Sequence, residues 1–164
     1  MADKFLLIDG SSLIHRAFFA LPPLVTKQGV NTGAVYGLCN MLLKLIEEVE
    51  PKYMAVAFDK SRKTFRTRMY ADYKGQRKPT PPELGEQFPL SMKVLDAIGI
   101  KNLELDDYEA DDIIGTFAKH APEDVEVIIV TGDKDELQLV DKRQGLLLQA
   151  WYHRHSNLRR KRIF

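Results

Sequence analysis

The chain has 164 residues, enough for one α/β domain with a substantial core, and its 45% hydrophobic and 29% charged residues are an ordinary soluble composition. No apolar run approaches the length of a membrane span, the N-terminal apolar stretch is too short for a secretion signal, and a single cysteine excludes an internal disulfide and a cysteine-based metal site. We therefore expect a cytoplasmic protein that has no membrane partner.

The net charge of +1 conceals an uneven distribution of charge along the chain. Residues 142–164 hold seven Lys or Arg and no acid, which leaves a net charge of −6 in residues 1–141. Within this acidic body, residues 60–82 hold eight Lys or Arg against one acid, Asp72. Clustered cations neutralise phosphate backbones, so the segment indicates nucleic-acid binding. Charge alone leaves a solvated basic face open as the alternative.

Predicted strands and helices alternate along the chain. Apolar runs predict strands at KFLLI (4–8), YMAVAF (53–58), IKNLEL (100–105) and VEVIIV (125–130), with GLLLQA (145–150) as a candidate fifth. Helical spacing predicts helices in GSSLIHRAFF, in GAVYGLCNMLLKLIEEVE, over 83–98 and in YEADDIIGTFAKHA. Short apolar strands alternating with helices are typical of a doubly wound α/β fold, a mainly parallel sheet with helices on both faces.

Local signals predict where two of these helices begin and end. Asn31 or Thr32 is expected to cap the second helix, and Pro51 to end it. Asp106 or Asp107 is expected to cap the helix that opens with YEADD.

Acidic residues collect at the predicted strand ends. Asp9, Asp59 and Asp133 each follow a strand, and the carboxyl ends of parallel strands share the edge at which ligands bind. Asp135 shares a tight turn with Asp133. The predicted metal site therefore has seven carboxylates: Asp9, Asp59, Glu109, Asp111, Asp112, Asp133 and Asp135.

Three of these acids lie at the start of one predicted helix. Glu109 and Asp112 are three apart and neighbour each other on one face, whereas Asp111 points away by helical phase but still reaches the shared edge from the first turn. A simpler role as favourable charges at a helix N-terminus stays open for these three. Turn formation stays open for Asp9 and Asp133.

Carboxylates this close raise one another's pKa, and a divalent cation removes the conflict. Ligation by oxygen alone favours Mg²⁺ or Mn²⁺ over Zn²⁺. Two such ions about 3.5–4 Å apart activate a water and stabilise the leaving oxygen of a phosphodiester.

The basic segment 60–82 begins at the strand end that carries Asp59, and aromatic residues interrupt its cations. Cations hold phosphates while aromatic faces stack on splayed bases, so the segment suits an arch over a single-stranded end or flap. Core packing is the alternative for Phe65 and Tyr70. Lys74 and Arg77 are the catalytic candidates that contact the scissile phosphate. The predicted DNA contacts are Arg62, Lys63, Arg66, Tyr70, Tyr73, Lys74, Arg77 and Lys78. His15 and Arg16 are expected to be surface or packing residues.

Five motifs in order, LLIDGSSLIHRAFFA, AVAFDKSRKTFR, YADYKGQRKPTPPEL, YEADDIIGTFA and VTGDKDELQLV, resemble the 5′-nuclease domain of bacterial DNA polymerase I and the related flap endonucleases. The resemblance covers about residues 1–141. It implies a PIN-like, resolvase-like fold, a two-metal site built from the seven acids, and an arch formed by residues 60–82. It also implies hydrolysis at a DNA 5′ end or flap, or at an RNA primer, in replication and repair.

Residues 142–164 do not resemble the family, whose members continue into a helix-hairpin-helix region with further metal-site aspartates. This segment is expected to be an atypical basic tail outside the domain 1–141, as if a longer frame had been cut short, with impaired activity. A non-catalytic DNA-binding remnant is the first alternative. A phosphatase of the haloacid-dehalogenase type is a weaker one, because Ser11 stands where that class has a second Asp.

Overall fold

The computed structural model describes residues 2–61, 63–70, 72–73, 75, 78–133 and 138–139, together with the backbone of 144–148 and 162–163. One sheet runs through the described residues, in the order β3-β2-β1-β4-β5-β6. Its strands are β1 (Asp3–Asp9), β2 (Tyr53–Ala57), β3 (Lys101–Leu103), β4 (Val125–Thr131), β5 (Gln144–Leu148) and β6 (Arg162–Ile163). The helices are α1 (Gly10–Ala20), α2 (Gly33–Val49), α3 (Phe65–Met69), α4 (Pro82–Gly85), α5 (Gln87–Ala97) and α6 (Ala110–His120).

The first five strands in sheet order are parallel, and β6 pairs with β5 in the antiparallel sense. β1 lies in the middle of the sheet, with Asp9 in register with Ala57 of β2 and Ile8 in register with Val130 of β4. The predicted mainly parallel α/β fold is confirmed, including the fifth strand. The predicted helix over 83–98 is divided into α4 and α5 at Glu86.

Side chains that alternate along β1 enter two different cores. Leu6 and Ile8 face α1, α2 and α5, whereas Leu7 faces α6 on the other side of the sheet. Both layers are well buried, since Leu6, Leu7 and Ile8 are each at most 1% exposed. Burial on both faces explains why the strands read as unbroken apolar runs in the sequence.

The helix caps differ from the sequence-based expectation because distant residues supply them. Thr32 occupies the cap position of α2 without a side-chain bond, and the Gln87 side chain accepts from the Ala34 and Val35 amides instead. α2 ends at Val49, where Glu50 takes a left-handed conformation with φ 49°.

The predicted caps Asp106 and Asp107 are wrong. Glu109 is the cap residue of α6, in a reciprocal capping box with Asp112. The chain turns before that helix begins, and Asp107 has a φ of 70° in this turn.

The basic segment contains one short helix, α3, and otherwise irregular backbone among its described residues. Beyond residue 141, β5 and β6 belong to the same sheet as β1. The expected domain boundary at 141 stays a prediction. No helix in the described part of the chain is long and apolar enough to cross a membrane.

Candidate functional site

The carboxyl edge of the sheet centres on Asp9, the last residue of β1. Asp9 Oδ1 accepts a 2.9 Å hydrogen bond from the Ser12 amide and so caps α1, while Oδ2 accepts a 3.0 Å bond from Thr131 Oγ1 at the end of β4. Two neighbouring strands and one helix therefore fix this carboxylate. It is 4% exposed.

The pKa of Asp9 is raised to about 7. Burial is the main cause and the nearby charges of Asp111 and Asp59 add to it, while the hydrogen bonds from Ser12 and Thr131 act in the lowering direction. These charges show that Asp111 and Asp59 lie near enough to Asp9 to interact with it. Asp111, expected to point away but to reach the shared edge, does interact with Asp9 across it.

Asp59 joins the end of β2 to α6. Its Oδ1 accepts a 2.8 Å bond from the Ala110 amide, and its own amide donates to Ser11 Oγ at 2.8 Å. Asp133 lies just beyond β4, where its amide donates to Thr131 Oγ1 at 2.9 Å. The edge thus collects acids from three strand ends, as the sequence predicted. Asp135 lies outside the described residues.

Glu109 and Asp112 face the basic segment. Arg66 of α3 donates two hydrogen bonds of 2.6 Å to the two oxygens of Asp112, and its Nη1 lies 3.7 Å from Glu109 Oε2. Tyr73 Oη donates to the same Glu109 oxygen at 3.2 Å. The bonds to Asp112 raise the pKa of the Arg66 guanidinium, which keeps its charge.

Two more ion pairs connect the basic segment to the loop before α6. Lys60 pairs with Asp106 at 2.9 Å, and Arg68 makes two bonds to Asp107, at 2.6 and 2.9 Å. Phe65 packs against Tyr108 with ring centroids 5.5 Å apart. Ion pairs and one aromatic contact therefore hold the basic segment against residues 106–112.

The predicted DNA contacts divide into groups. Arg66 and Tyr73 contact acids of α6 or its cap, while the side chains of Lys63, Tyr70 and Lys78 are exposed. The predictions for Arg62, Lys74 and Arg77 fall outside the described residues.

Arg16 is the residue of this edge that the sequence analysis undervalued. Its Nη2 donates to the Gly132 carbonyl at 3.1 Å, and its charge interacts with Asp9. Gly132 permits the approach, because an added Cβ would lie 2.5 Å from Ser12 Oγ and 2.6 Å from Arg16 Nη2. The available signal was helical spacing, since Ser12 and Arg16 are one turn apart on the helix that Asp9 caps.

The donor chemistry of the edge fits a hard divalent cation. A buried carboxylate with a raised pKa beside two other carboxylates gains from a neighbouring positive charge, and oxygen donors suit Mg²⁺ or Mn²⁺. Among the described residues, however, no three Asp, Glu, His or Cys side chains already stand in a metal-holding arrangement. The acids are close enough to interact but would have to reorient to become ligands.

The sheet and its carboxylate edge define a resolvase-like α/β domain. The family model described as the 5′-3′ exonuclease, N-terminal resolvase-like domain matches residues 4–163. The chain therefore belongs to this family of nuclease domains.

Curated relatives include DNA polymerase I of Bacillus subtilis (strain 168), 53% identical over 137 residues, and of Streptococcus pneumoniae (strain ATCC BAA-255 / R6), 53% identical over 144. They align with 83% and 85% of this chain, which spans 16% of their length.

Solved structures share the fold. The T5 D15 protein co-crystallized with metal ions matches with a TM-score of 0.66 at 19% identity, over 88% of this chain and 54% of that one. Human GEN1 in complex with Holliday junction DNA matches with a TM-score of 0.53 at 12% identity, over 89% of this chain and 34% of that one.

Proposed function

We propose that this domain hydrolyses phosphodiester bonds at DNA 5′ ends or flaps, with divalent cations bound at the carboxyl edge of the sheet. The observation that carries the proposal is Asp9, a buried carboxylate at the end of the central strand with a pKa raised to about 7. Capping of α1 alone does not require a carboxylate with so unfavourable a charge, because Asn or Ser serves as well at a helix N-cap, whereas a metal ligand does require one. Membership in a nuclease family supports the same conclusion.

The residues that would hold the ions are the acids of the edge. Asp9, Asp59 and Asp111 interact most directly, and the proposed set is completed by Glu109, Asp112, Asp133 and Asp135. When bound, two Mg²⁺ or Mn²⁺ ions supply an activated water and charge stabilisation for the leaving oxygen.

The chain's own residues orient the acids and the substrate. Thr131 and the Ser12 amide hold Asp9 in one orientation, and the Ala110 amide holds Asp59. Arg16 offers a guanidinium beside this edge for a substrate phosphate. Lys74 and Arg77 are proposed to hold the scissile phosphate from the arch.

The substrate proposal rests on the basic segment. Exposed Lys63, Tyr70 and Lys78 suit a single strand with unstacked bases, while the pairs of Lys60, Arg66 and Arg68 anchor the segment to residues 106–112. An RNA primer has the same phosphate chemistry and is included in the proposal. The proposed role is the removal of such 5′ ends, flaps and primers during replication and repair.

Incubation with a labelled 5′-flap duplex and Mg²⁺ or Mn²⁺ tests the proposal. The wild type is expected to cut near the junction, and Asp9→Asn to lose at least a hundredfold in rate while its fold is kept, because Asn still caps α1. Asp124→Asn, an exposed acid before β4, is the matched control and should cut at the wild-type rate. Intact binding without cutting by the wild type in either metal would end the catalytic proposal.

Two observations favour a second function, DNA binding without catalysis. No metal-holding group of three side chains is preformed among the described residues, and Arg66 already neutralises Asp112. This alternative expects salt-dependent flap binding with no cutting in any divalent metal. The flap assay distinguishes the two.

A further inference from the structure

A polar cleft leads away from the carboxylate edge along α6. Its volume is about 530 Å³. It begins at the acids that open the helix and ends at Lys119 and His120 in the last turn. Neither of these two residues belongs to the basic segment or to the acidic set.

The two walls of the cleft come from separate parts of the chain. Arg66 and Tyr73 of the basic segment form one wall, and Gln138 and Leu139 the other. Gly115 lies between them on α6, and an added Cβ there would lie 3.3 Å from a Leu139 methyl. A glycine at this point therefore leaves room for the Leu139 side chain against α6.

The far end of the cleft offers cationic and hydrogen-bonding groups to a ligand. Lys119 is exposed and makes no hydrogen bond or ion pair with the part of the chain that the structure describes, in contrast to Lys60, Arg66 and Arg68. His120 Nδ1 lies 2.9 Å from the Thr116 carbonyl, which fixes the ring at the helix end. A carbonyl only accepts, so Nδ1 carries the hydrogen.

We propose that this cleft binds the single-stranded segment on the 5′ side of the cut bond, with Lys119 contacting a phosphate and His120 hydrogen-bonding beside it. The inference rests on the proposed function, which places the cut bond at the carboxylate edge and so makes the strand in the cleft the one on its 5′ side. A cleft of this volume suits one strand and not a duplex. The seven helical steps from Asp112 to Lys119 span about 10 Å, which is the axial rise of about three nucleotides at the 3.4 Å spacing of one DNA strand.

The acids at the near end do not exclude a phosphate chain. Arg66 neutralises Asp112 through two hydrogen bonds and also lies near Glu109. The remaining negative charge lies where the proposed function puts divalent cations. A strand therefore meets partly neutralised carboxylates at one end of the cleft, and at the other end an ammonium that has no partner among the described residues.

Binding of labelled hairpin duplexes with 5′ tails of zero, one, three and six nucleotides tests the proposal. Fluorescence anisotropy measures the affinities in Ca²⁺, and the labelled DNA is checked afterwards to verify that it has not been cut. The variant is Lys119→Ala combined with His120→Ala. We expect about fivefold weaker binding for tails of three or six nucleotides and unchanged binding without a tail. The slope of log K against log salt should fall by about 0.7 for the tailed substrates only, the value for one single-strand phosphate.

Lys93→Ala is the matched control, because Lys93 is an exposed lysine of α5 on the opposite face of the sheet. Its effect should be small and equal at every tail length. Thermal melting of all variants verifies folding.

Equal affinities of the wild type and the double variant at every tail length would contradict the proposal that the cleft binds the single strand. The same conclusion would follow if the wild type bound tailed and untailed duplexes equally well. Tail-dependent binding that needs Lys119, in a wild type that never cuts in Mg²⁺ or Mn²⁺, would overturn the proposed catalysis and keep the cleft as a binding site.

Discussion

Thr131 Oγ1 donates a 3.0 Å hydrogen bond to Asp9 Oδ2 across 122 positions of sequence, and the same oxygen accepts the Asp133 amide at 2.9 Å. Thr131 is fully buried, so no water replaces either bond. One hydroxyl thus sets the orientation of the central carboxylate and the path of the chain that leaves β4.

Thr131→Val should destabilise the fold by about 1–3 kcal/mol, because the buried Asp9 carboxylate loses a donor and the partly buried Asp133 amide loses an acceptor. The pKa of Asp9 should rise further, since the bond from Thr131 lowers it. Urea unfolding and an NMR titration of Asp9 measure both effects. Thr26→Val, which alters an exposed threonine that accepts the Val30 amide, should change neither quantity appreciably.

The metal-free protein should lose stability as pH rises from about 4 to about 7. The pKa of Asp9 in the folded state, about 7, lies above the ordinary value of 3.8, so the folded state holds a proton that the unfolded state has released. Each pH unit in this window then costs about 1.4 kcal/mol, to a ceiling of about 4 kcal/mol.

Asp9→Asn should remove this slope and be more stable than the wild type above pH 7. Urea unfolding in EDTA at several pH values measures it, with Asp124→Asn as the variant that keeps the slope. Parallel curves for Asp9→Asn and the wild type would show that Asp9 does not titrate in this range.

Arg66→Ala should weaken the attachment of the basic segment to α6, because it removes the ion pair with Asp112. Its bidentate bond to Asp112 is partly buried, with side-chain exposures of 30% and 22%, so its loss should cost about 1–2 kcal/mol. Hydrogen exchange in residues 63–70 should accelerate. Arg66→Lys should recover only part of the effect, because an ammonium lacks the planar fork.

Arg68→Ala is the matched comparison on the same helix. Its pair with Asp107 is more exposed, at 60% and 48%, and solvent screens it. We expect little change in unfolding. Equal effects of Arg66→Ala and Arg68→Ala on unfolding would contradict a larger contribution from the less exposed Arg66–Asp112 pair.

Glu50→Gly should stabilise the protein by about 0.5–1 kcal/mol. Glu50 ends α2 with a φ of 49°, a conformation that glycine adopts without a steric penalty. Glu47→Gly, inside the same helix and exposed, should destabilise it by about 1 kcal/mol. Thermal unfolding of both variants checks the opposite signs, and destabilisation by Glu50→Gly would refute the argument.

The central fold could be predicted from the sequence because its strands are buried on both faces. Runs such as VEVIIV carry that signal within a few residues. β1 ends in an acid, and an acid follows each of β2 and β4 two residues later. The edge that collects Asp9, Asp59 and Asp133 follows from parallel topology alone.

Partnerships across long stretches of sequence could not be predicted in this way. Gln87 caps α2 from 53 positions away, and Arg66 reaches Asp112 across 46. Both contacts depend on how the helices pack against one another. In the sequence alone, Gln87 and Arg66 are indistinguishable from polar residues that lie on the surface. The sequence predicts Arg66 as a DNA contact, because a run of cations does not reveal which of its members have carboxylate partners in the fold.

The order of strands in the sheet has a consequence for synthesis on the ribosome. Asp9 is among the first residues made, yet its hydroxyl partner belongs to β4, more than a hundred residues later. A nascent chain that has emerged only as far as α5 carries the acid without its partner and without Asp111. The proposed metal site should therefore gain affinity for manganese only after β4 and Asp133 have emerged, so that ion capture by the growing chain reports the pairing of β4 with β1.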